Sequence, residues 1–221
     1  MEPKEYYQGE RGSEYYARQH QAGVYAGEWS AILWKGFTSN TDDVLDFGCG
    51  GGFVLASLPS RRKMGIEVNP LAADIARRNG LEIFSELSEI PTESVDKVIS
   101  NHALEHVASP LEALTKIRNV LRPSGKLLLI LPLEDWRVSR NKVFEENDPD
   151  KHLYAWTPRV LGNLFYTAGF KPERIRVVTY CTLPRFGTQI WDFSPTLFRY
   201  LGYLTAFLLK RRQLVALAVK S

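Results

Sequence analysis

The chain has 221 residues, 44% hydrophobic and 24% charged, enough for a sizeable core and short for two full domains. Its 28 Lys and Arg against 25 Asp and Glu leave a net charge of +3, too small an excess to argue for DNA or RNA as a partner. Two cysteines, Cys49 and Cys181, are far apart and in no metal-type spacing, so no disulfide framework is indicated and a reducing, cytoplasmic setting is expected.

The opening Met1-Glu2-Pro3-Lys4-Glu5-Tyr6-Tyr7 lacks an apolar signal core. A helical pattern follows Ser13, with Tyr16, Ala17, His20, Val24, Ile32 and Leu33 as candidate inward positions and a break expected near Gly23 or Gly27. Residues 1–40 read as a helical cap on one domain spanning 1–221. The tyrosines Tyr6, Tyr7, Tyr15 and Tyr16 fit either ordinary packing of that cap or a cover over a binding site.

Asp43 to Phe47 reads as a buried strand, followed by glycines and a helix from Phe53 to Leu58. Further strands are expected at Lys63–Glu67, Glu82–Phe84, Asp96–Ser100 and Lys126–Leu131, with helices at Pro70–Asn79 and Pro110–Leu121. Arg122-Pro123-Ser124-Gly125 reads as a turn. Thr157 and Pro158 open another helix that ends near Gly169, before a sixth strand at Ile175–Cys181 and a seventh at Leu214–Val219. This alternation predicts an α/β fold with a mostly parallel sheet and helices on both faces. Residues 132–156 are a candidate lid. Residues 182–212 are an insertion ending in an apolar helix, Pro195 to Leu209.

The strongest chemical signal is Val44-Leu45-Asp46-Phe47-Gly48-Cys49-Gly50-Gly51-Gly52-Phe53. A strand runs into glycines that permit positive φ and close approach of a ligand to the backbone. Phe53 stands where a dinucleotide fingerprint wants a third glycine, and no Lys-Ser or Lys-Thr follows to make a P-loop. Glu67, at the end of the second strand, is placed to accept hydrogen bonds from a ribose.

These segments resemble the class I S-adenosylmethionine (SAM)-dependent methyltransferases, especially the group that includes ubiquinone-type O-methyltransferases. The resemblance extends from Asp42 to Phe170 through Gly65-Ile66-Glu67, Val95 to Ser100, Leu104-Glu105-His106-Val107, Leu121 to Leu127 and the segment from Trp156-Thr157-Pro158 to Phe170. It implies a Rossmann-like seven-stranded sheet with the last strand antiparallel. It also implies that Asp46, Gly48 and Gly50, with Cys49 between, surround the methionine part of SAM. Glu67, followed by Val68, would hold the ribose, Glu86 and Leu87 would face the adenine, and Asn101 would line the site near the sulfonium. Glu86 departs from the Asp of many relatives, and Lys97 stands where they carry an apolar residue; Lys97 is expected to be exposed.

A hydroxyl acceptor needs its proton removed, by a general base or through a metal ion. Candidates follow the fourth strand: His102, Glu105 and His106, which share one side if the stretch is helical. The stretch resembles the Glu-x-x-Glu-His motif of metal-using ubiquinone and small-RNA 2′-O-methyltransferases, with His102 replacing the first Glu. In the RNA group a further His precedes a Trp-Thr pair, as His152 precedes Trp156-Thr157 here. Three readings stay open: a divalent metal ion on His102, Glu105, His106 and His152; His102 or His106 as a metal-free base; and a structural role only. The His-for-Glu change favours Zn²⁺, Fe²⁺ or Mn²⁺ over Mg²⁺.

The expected acceptor is a small molecule, a sugar or a lipid-linked compound, methylated on oxygen before nitrogen. RNA 2′-O-methylation and a non-catalytic SAM-fold binding role are the alternatives. The apolar stretch within 196–212, ending in Lys210-Arg211-Arg212, reads as a core helix, a homodimer face or a peripheral membrane contact.

Overall fold

The computed structural model describes residues 7–9, 12–14, 16, 17, 31–133, 143, 151–181, 183 and 187–221. The expected helix around His20, Gly23, Val24 and Gly27, the tyrosines Tyr6 and Tyr15, and most of the 132–156 lid lie outside these residues.

Seven strands form one sheet: β1 (Asp43–Phe47), β2 (Arg62–Ile66), β3 (Glu82–Phe84), β4 (Val95–Asn101), β5 (Leu121–Pro132), β6 (Phe170–Thr179) and β7 (Arg212–Lys220). Their order is β3-β2-β1-β4-β5-β7-β6. The first five are parallel, and β7 runs antiparallel between β5 and β6. This is the expected Rossmann-like architecture. The order reverses between β1 and β4, and such a switch point opens a crevice at the carboxyl ends of those two strands.

The pleat explains the two-sided core. Along β5, Leu127, Leu129 and Leu131 enter one hydrophobic layer, with Leu45, Leu114, Ile117, Phe165 and Phe170. Leu128 and Ile130 enter the other, with Trp34, Val44, Leu55 and Ala76. The helices that cover these layers are α1 (Ala31–Trp34), α2 (Phe53–Ala56), α3 (Pro70–Arg78), α4 (Pro110–Val120) and α5 (Pro158–Thr167). Asn69, Ser109 and Thr157 cap α3, α4 and α5, each followed by a proline in the first turn. Phe165 and Phe170 are fully buried, with ring centroids 5.9 Å apart. Phe165→Ala is expected to destabilise the fold by about 3–5 kcal/mol, read as a lower denaturant midpoint at unchanged m.

Several expectations need correction. The turn at Arg122–Gly125 lies inside β5: Val95 pairs with Leu121 and Lys97 with Lys126, so these four residues bulge opposite Asp96. Arg122 fixes the bulge through ion pairs to Asp96 at 2.7 Å and Asp43 at 3.1 Å. The sixth strand starts at Phe170 rather than Ile175, because β7 pairs with it from Lys220 onward. Ile32 and Ala17 are exposed, and Trp34 takes the inward place on the four-residue α1. Lys97 is half-buried, with its ammonium 5.8 Å from the Phe37 ring centroid, where the ring face attracts the cation. The 182–212 insertion contains a second helix ahead of the expected one: α6 (Gly187–Phe193) precedes α7 (Pro195–Leu208).

Candidate functional site

The crevice at the switch point is built from the loops that leave β1 and β4. Gly48 and Gly50 have φ of 73° and 53°, in the left-handed region that favours glycine. The two loops abut: a Cβ on Gly48 would lie 2.4 Å from the Cβ of Ala103. A Cβ on Gly50 would meet nothing within 4 Å, so the backbone here faces open space in which a ligand can lie against it.

Glu67, just past β2, ties this loop down. Its carboxylate accepts from the Gly50 N–H at 2.8 Å and the Asn69 N–H at 2.7 Å. Burial raises its pKa, while backbone donors at Asn69, Gly50 and Val68 oppose the rise. Asp46, at the end of β1, is 3% exposed, and its carboxyl is pushed up to about 8 by burial and then by the neighbouring Glu67. Burial also drives the Cys49 thiol well above its ordinary range. A cation placed beside this carboxylate pair relieves both the burial and the mutual repulsion.

The adenine end is described more coarsely. Glu86 is exposed and caps a single 3₁₀ turn, Leu87–Glu89, in a reciprocal arrangement with Glu89. The Leu87 side chain packs in the core, so its backbone is what this residue offers a ligand. Asn101 is the last residue of β4 and is half-buried.

Beyond it the chain does not continue as an α-helix. His102 has φ of 52°, and Leu104–His106 is one 3₁₀ turn. That turn puts Glu105 inside, 0% exposed, with neither carboxylate oxygen hydrogen-bonded among the described residues. Around Glu105 Oε1 stand His102 Nδ1 at 3.5 Å, His106 Nε2 at 4.0 Å and His152 Nε2 at 4.0 Å. Ligand atoms of Glu105, His106 and His152 all lie within 4.8 Å of one another. His102 is outside that trio and leans toward Gln213, with Nε2 3.4 Å from its side-chain oxygen. His152 reaches the cluster because the Leu153 N–H donates to the Glu105 carbonyl at 2.9 Å. Burial lowers the His106 pKa, against the opposing pull of Glu105, which favours the neutral imidazole.

Two tyrosines join the site. The Tyr7 hydroxyl is 2.8 Å from His106 Nδ1. The Tyr16 hydroxyl lies over Gly51, 2.7 Å from where a Cβ would stand, and burial beside Glu67 raises its pKa. Asn69 anchors the same segment, donating to the Gly12 carbonyl at 2.8 Å. The sequence held only an aromatic cluster at 6–16; its pairing with His106 spans 99 positions and no local pattern encodes it.

This strand order, with a glycine turn and an acidic residue at the ends of adjacent strands beside the switch point, defines a class I SAM-dependent methyltransferase fold. Residues 18–175 match a methyltransferase domain family, and the chain belongs to it. Among curated proteins, the ubiquinone biosynthesis O-methyltransferase of Hahella chejuensis is 33% identical over 96 residues, 38% of this chain and 40% of that protein. The Cereibacter sphaeroides protein of the same name is 38% identical over 101 residues, 38% of this chain and 39% of that one. The matched stretch thus spans well under half the length of these relatives. Among solved structures, a Haloferax volcanii protein in complex with the Trm112 methyltransferase activator aligns with TM-score 0.70 at 19% identity, covering 94% of this chain and 96% of that one. A SAM-dependent methyltransferase of Thermotoga maritima aligns with TM-score 0.67 at 18% identity, covering 96% and 97%. These likenesses concern the fold.

Proposed function

We propose that the protein transfers the methyl group of SAM to a hydroxyl oxygen of a small-molecule, sugar or lipid-linked acceptor, with Glu105, His106 and His152 holding a divalent metal ion beside that oxygen. The observation that carries this reading is Glu105. A carboxylate with no exposed surface and no hydrogen bond to either oxygen is strongly unfavourable unless a positive charge sits against it. Two imidazole nitrogens and this carboxylate within 4.8 Å suit a borderline divalent cation. Such an ion, when bound, lowers the pKa of a coordinated hydroxyl.

The chain's own residues do the rest. Gly48 and Gly50 let the donor lie against the backbone, and Asp46 and Glu67 supply negative charge for its ammonium and hydrogen-bond acceptors for its ribose. The loop contact at Gly48 and Ala103 keeps donor and acceptor sides together, which an in-line displacement requires. The Tyr7 hydroxyl at His106 Nδ1 orients the imidazole so that Nε2 faces Glu105. His102, 3.5 Å from Glu105, remains available to receive the proton. The O-methyltransferase names of the curated relatives support oxygen over nitrogen.

The test pairs elemental analysis with a labelled-methyl screen across lipid, RNA, protein and small-metabolite fractions. Label is expected in the lipid or small-metabolite fraction, falling about 100-fold after verified metal removal and returning when metal is restored. Unchanged transfer after that removal rejects the ion. Label confined to RNA rejects the acceptor class. A protein that neither binds SAM nor labels any fraction is the non-catalytic alternative.

A further inference from the structure

The insertion between β6 and β7 is apolar on the wrong side. Of the 14 residues of α7, Phe198, Gly202 and Ala206 are buried, four apart along one face. A helix lying on a protein usually turns charged residues outward. Here Tyr200, Tyr203, Leu204, Phe207 and Leu208 face outward instead, at the spacing of one continuous stripe. Tyr200 is 69% exposed, Phe207 74% and Leu208 69%. Phe193, at the end of α6, is 83% exposed. The only charge within α7 is Arg199, stacked 5.6 Å over the Trp191 ring. At its C-terminal end Lys210, Arg211 and Arg212 are all exposed. From Phe193 to Ser221 the sequence contains no Asp or Glu, and the hairpin's one acidic residue is the exposed Asp192 of α6.

We infer that the α6–α7 hairpin docks in the plane of an anionic phospholipid bilayer, with the aromatic stripe at the acyl boundary and Lys210, Arg211 and Arg212 among the headgroups. The charge pattern selects this occupant. A second copy packed on the same face would offer the two basic ends only Asp192 of each hairpin as counter-charge, against three cationic residues on each. An anionic leaflet supplies the missing counter-charge. The length agrees: 14 residues make about 21 Å of helix, and no helix among the described residues is long and apolar enough to cross a membrane. Aromatic and basic side chains around an apolar stripe are what an in-plane helix uses at the headgroup level.

Docking there bears on the active site. The insertion leaves the sheet beside Tyr180 and returns at Gln213. The Tyr180 ring centroid is 6.0 Å from that of His102, and the Gln213 side-chain oxygen is 3.4 Å from His102 Nε2. Both roots of the hairpin therefore touch the acceptor side, so a seated hairpin presents that side to the bilayer and selects a lipid-carried acceptor. This second step rests on the proposed methyl transfer; the docking does not.

The test is flotation of the full chain with phosphatidylglycerol–phosphatidylcholine vesicles against phosphatidylcholine alone. Binding is expected to favour the anionic vesicles about 10-fold or more and to weaken with salt. Phe207→Ser with Leu208→Ser, and separately Lys210→Gln with Arg211→Gln, should each lower partitioning about 10-fold or more, with SAM binding unchanged by calorimetry as the check that the variants fold. Equal or absent binding of the unaltered protein to the two vesicle types overturns docking. So does light scattering that shows a dimer dissociated by the same substitutions. Vesicle binding without methyl transfer to any acceptor leaves docking intact and removes the proposed reaction. Methyl transfer to a soluble acceptor without vesicle binding does the reverse.

Discussion

Glu105→Gln is expected to lower kcat by about 100-fold or more while leaving the SAM dissociation constant within about 2-fold, since the proposed donor site is built elsewhere. The side chain keeps its shape and loses its charge. Metal content should fall with activity if the trio of Glu105, His106 and His152 is the ligand set. Stability supplies an independent sign. Without metal the wild-type carboxylate is sealed from water and has no hydrogen bond among the described residues, with only imidazoles 3.5–4.0 Å away, so an uncharged amide of the same shape costs less to bury. Melting temperature in chelator should therefore rise in the variant, by about 2–4 °C per kcal/mol relieved. If Glu105 only supports the fold, substitution leaves metal content and the pH profile of kcat unmoved, and that result rejects the assigned role.

SAM binding is expected to release close to one proton near neutral pH, and Glu67→Ala to weaken it by about 30-fold or more. The Asp46 carboxyl, pushed up to about 8 by burial and by Glu67, is largely protonated in the free protein at pH 7. A bound sulfonium and ammonium favour its ionised form, so the proton leaves as the ligand enters. Calorimetry in buffers of differing ionisation enthalpy reads this directly. Affinity should rise as pH climbs toward about 8, by up to about 10-fold per pH unit, and level off above it. Asp46→Asn should abolish both the proton release and the pH dependence. For the free protein the sign is opposite: the raised Asp46 contributes stability that is complete below the ordinary carboxylate range and is lost as pH rises through about 8. Proton uptake on binding, or a pH-independent affinity, would remove Asp46 from the donor site.

Much of this protein was legible along the chain because its signals are local. Alternating leucines on β5, prolines behind capping residues at Asn69, Ser109 and Thr157, and the glycines after β1 each act within a few residues. The glycine turn and Glu67 belong to this group, since they follow the first strand along a single β-α-β unit. The bulge at Arg122–Gly125 was readable as a turn but not as part of a strand, because the strand continues only through its pairing with β4.

The cluster around Glu105 depended on folding. Spacing after the fourth strand and the resemblance to metal-using relatives pointed to His102, Glu105, His106 and His152, yet the 3₁₀ turn and the contact from Leu153 decide that Glu105 is sealed and that His102 stands outside the trio. Tyr7 reaches His106 from the far end of the sequence. The apolar run before Lys210 read as core or dimer face ahead of membrane contact, because composition does not say which side of a helix meets the sheet. Only packing assigns Phe198, Gly202 and Ala206 to the protein and leaves the aromatic stripe outside. Burial and long-range contact are properties of the folded chain, set by which surfaces meet, and no spacing within one segment specifies them.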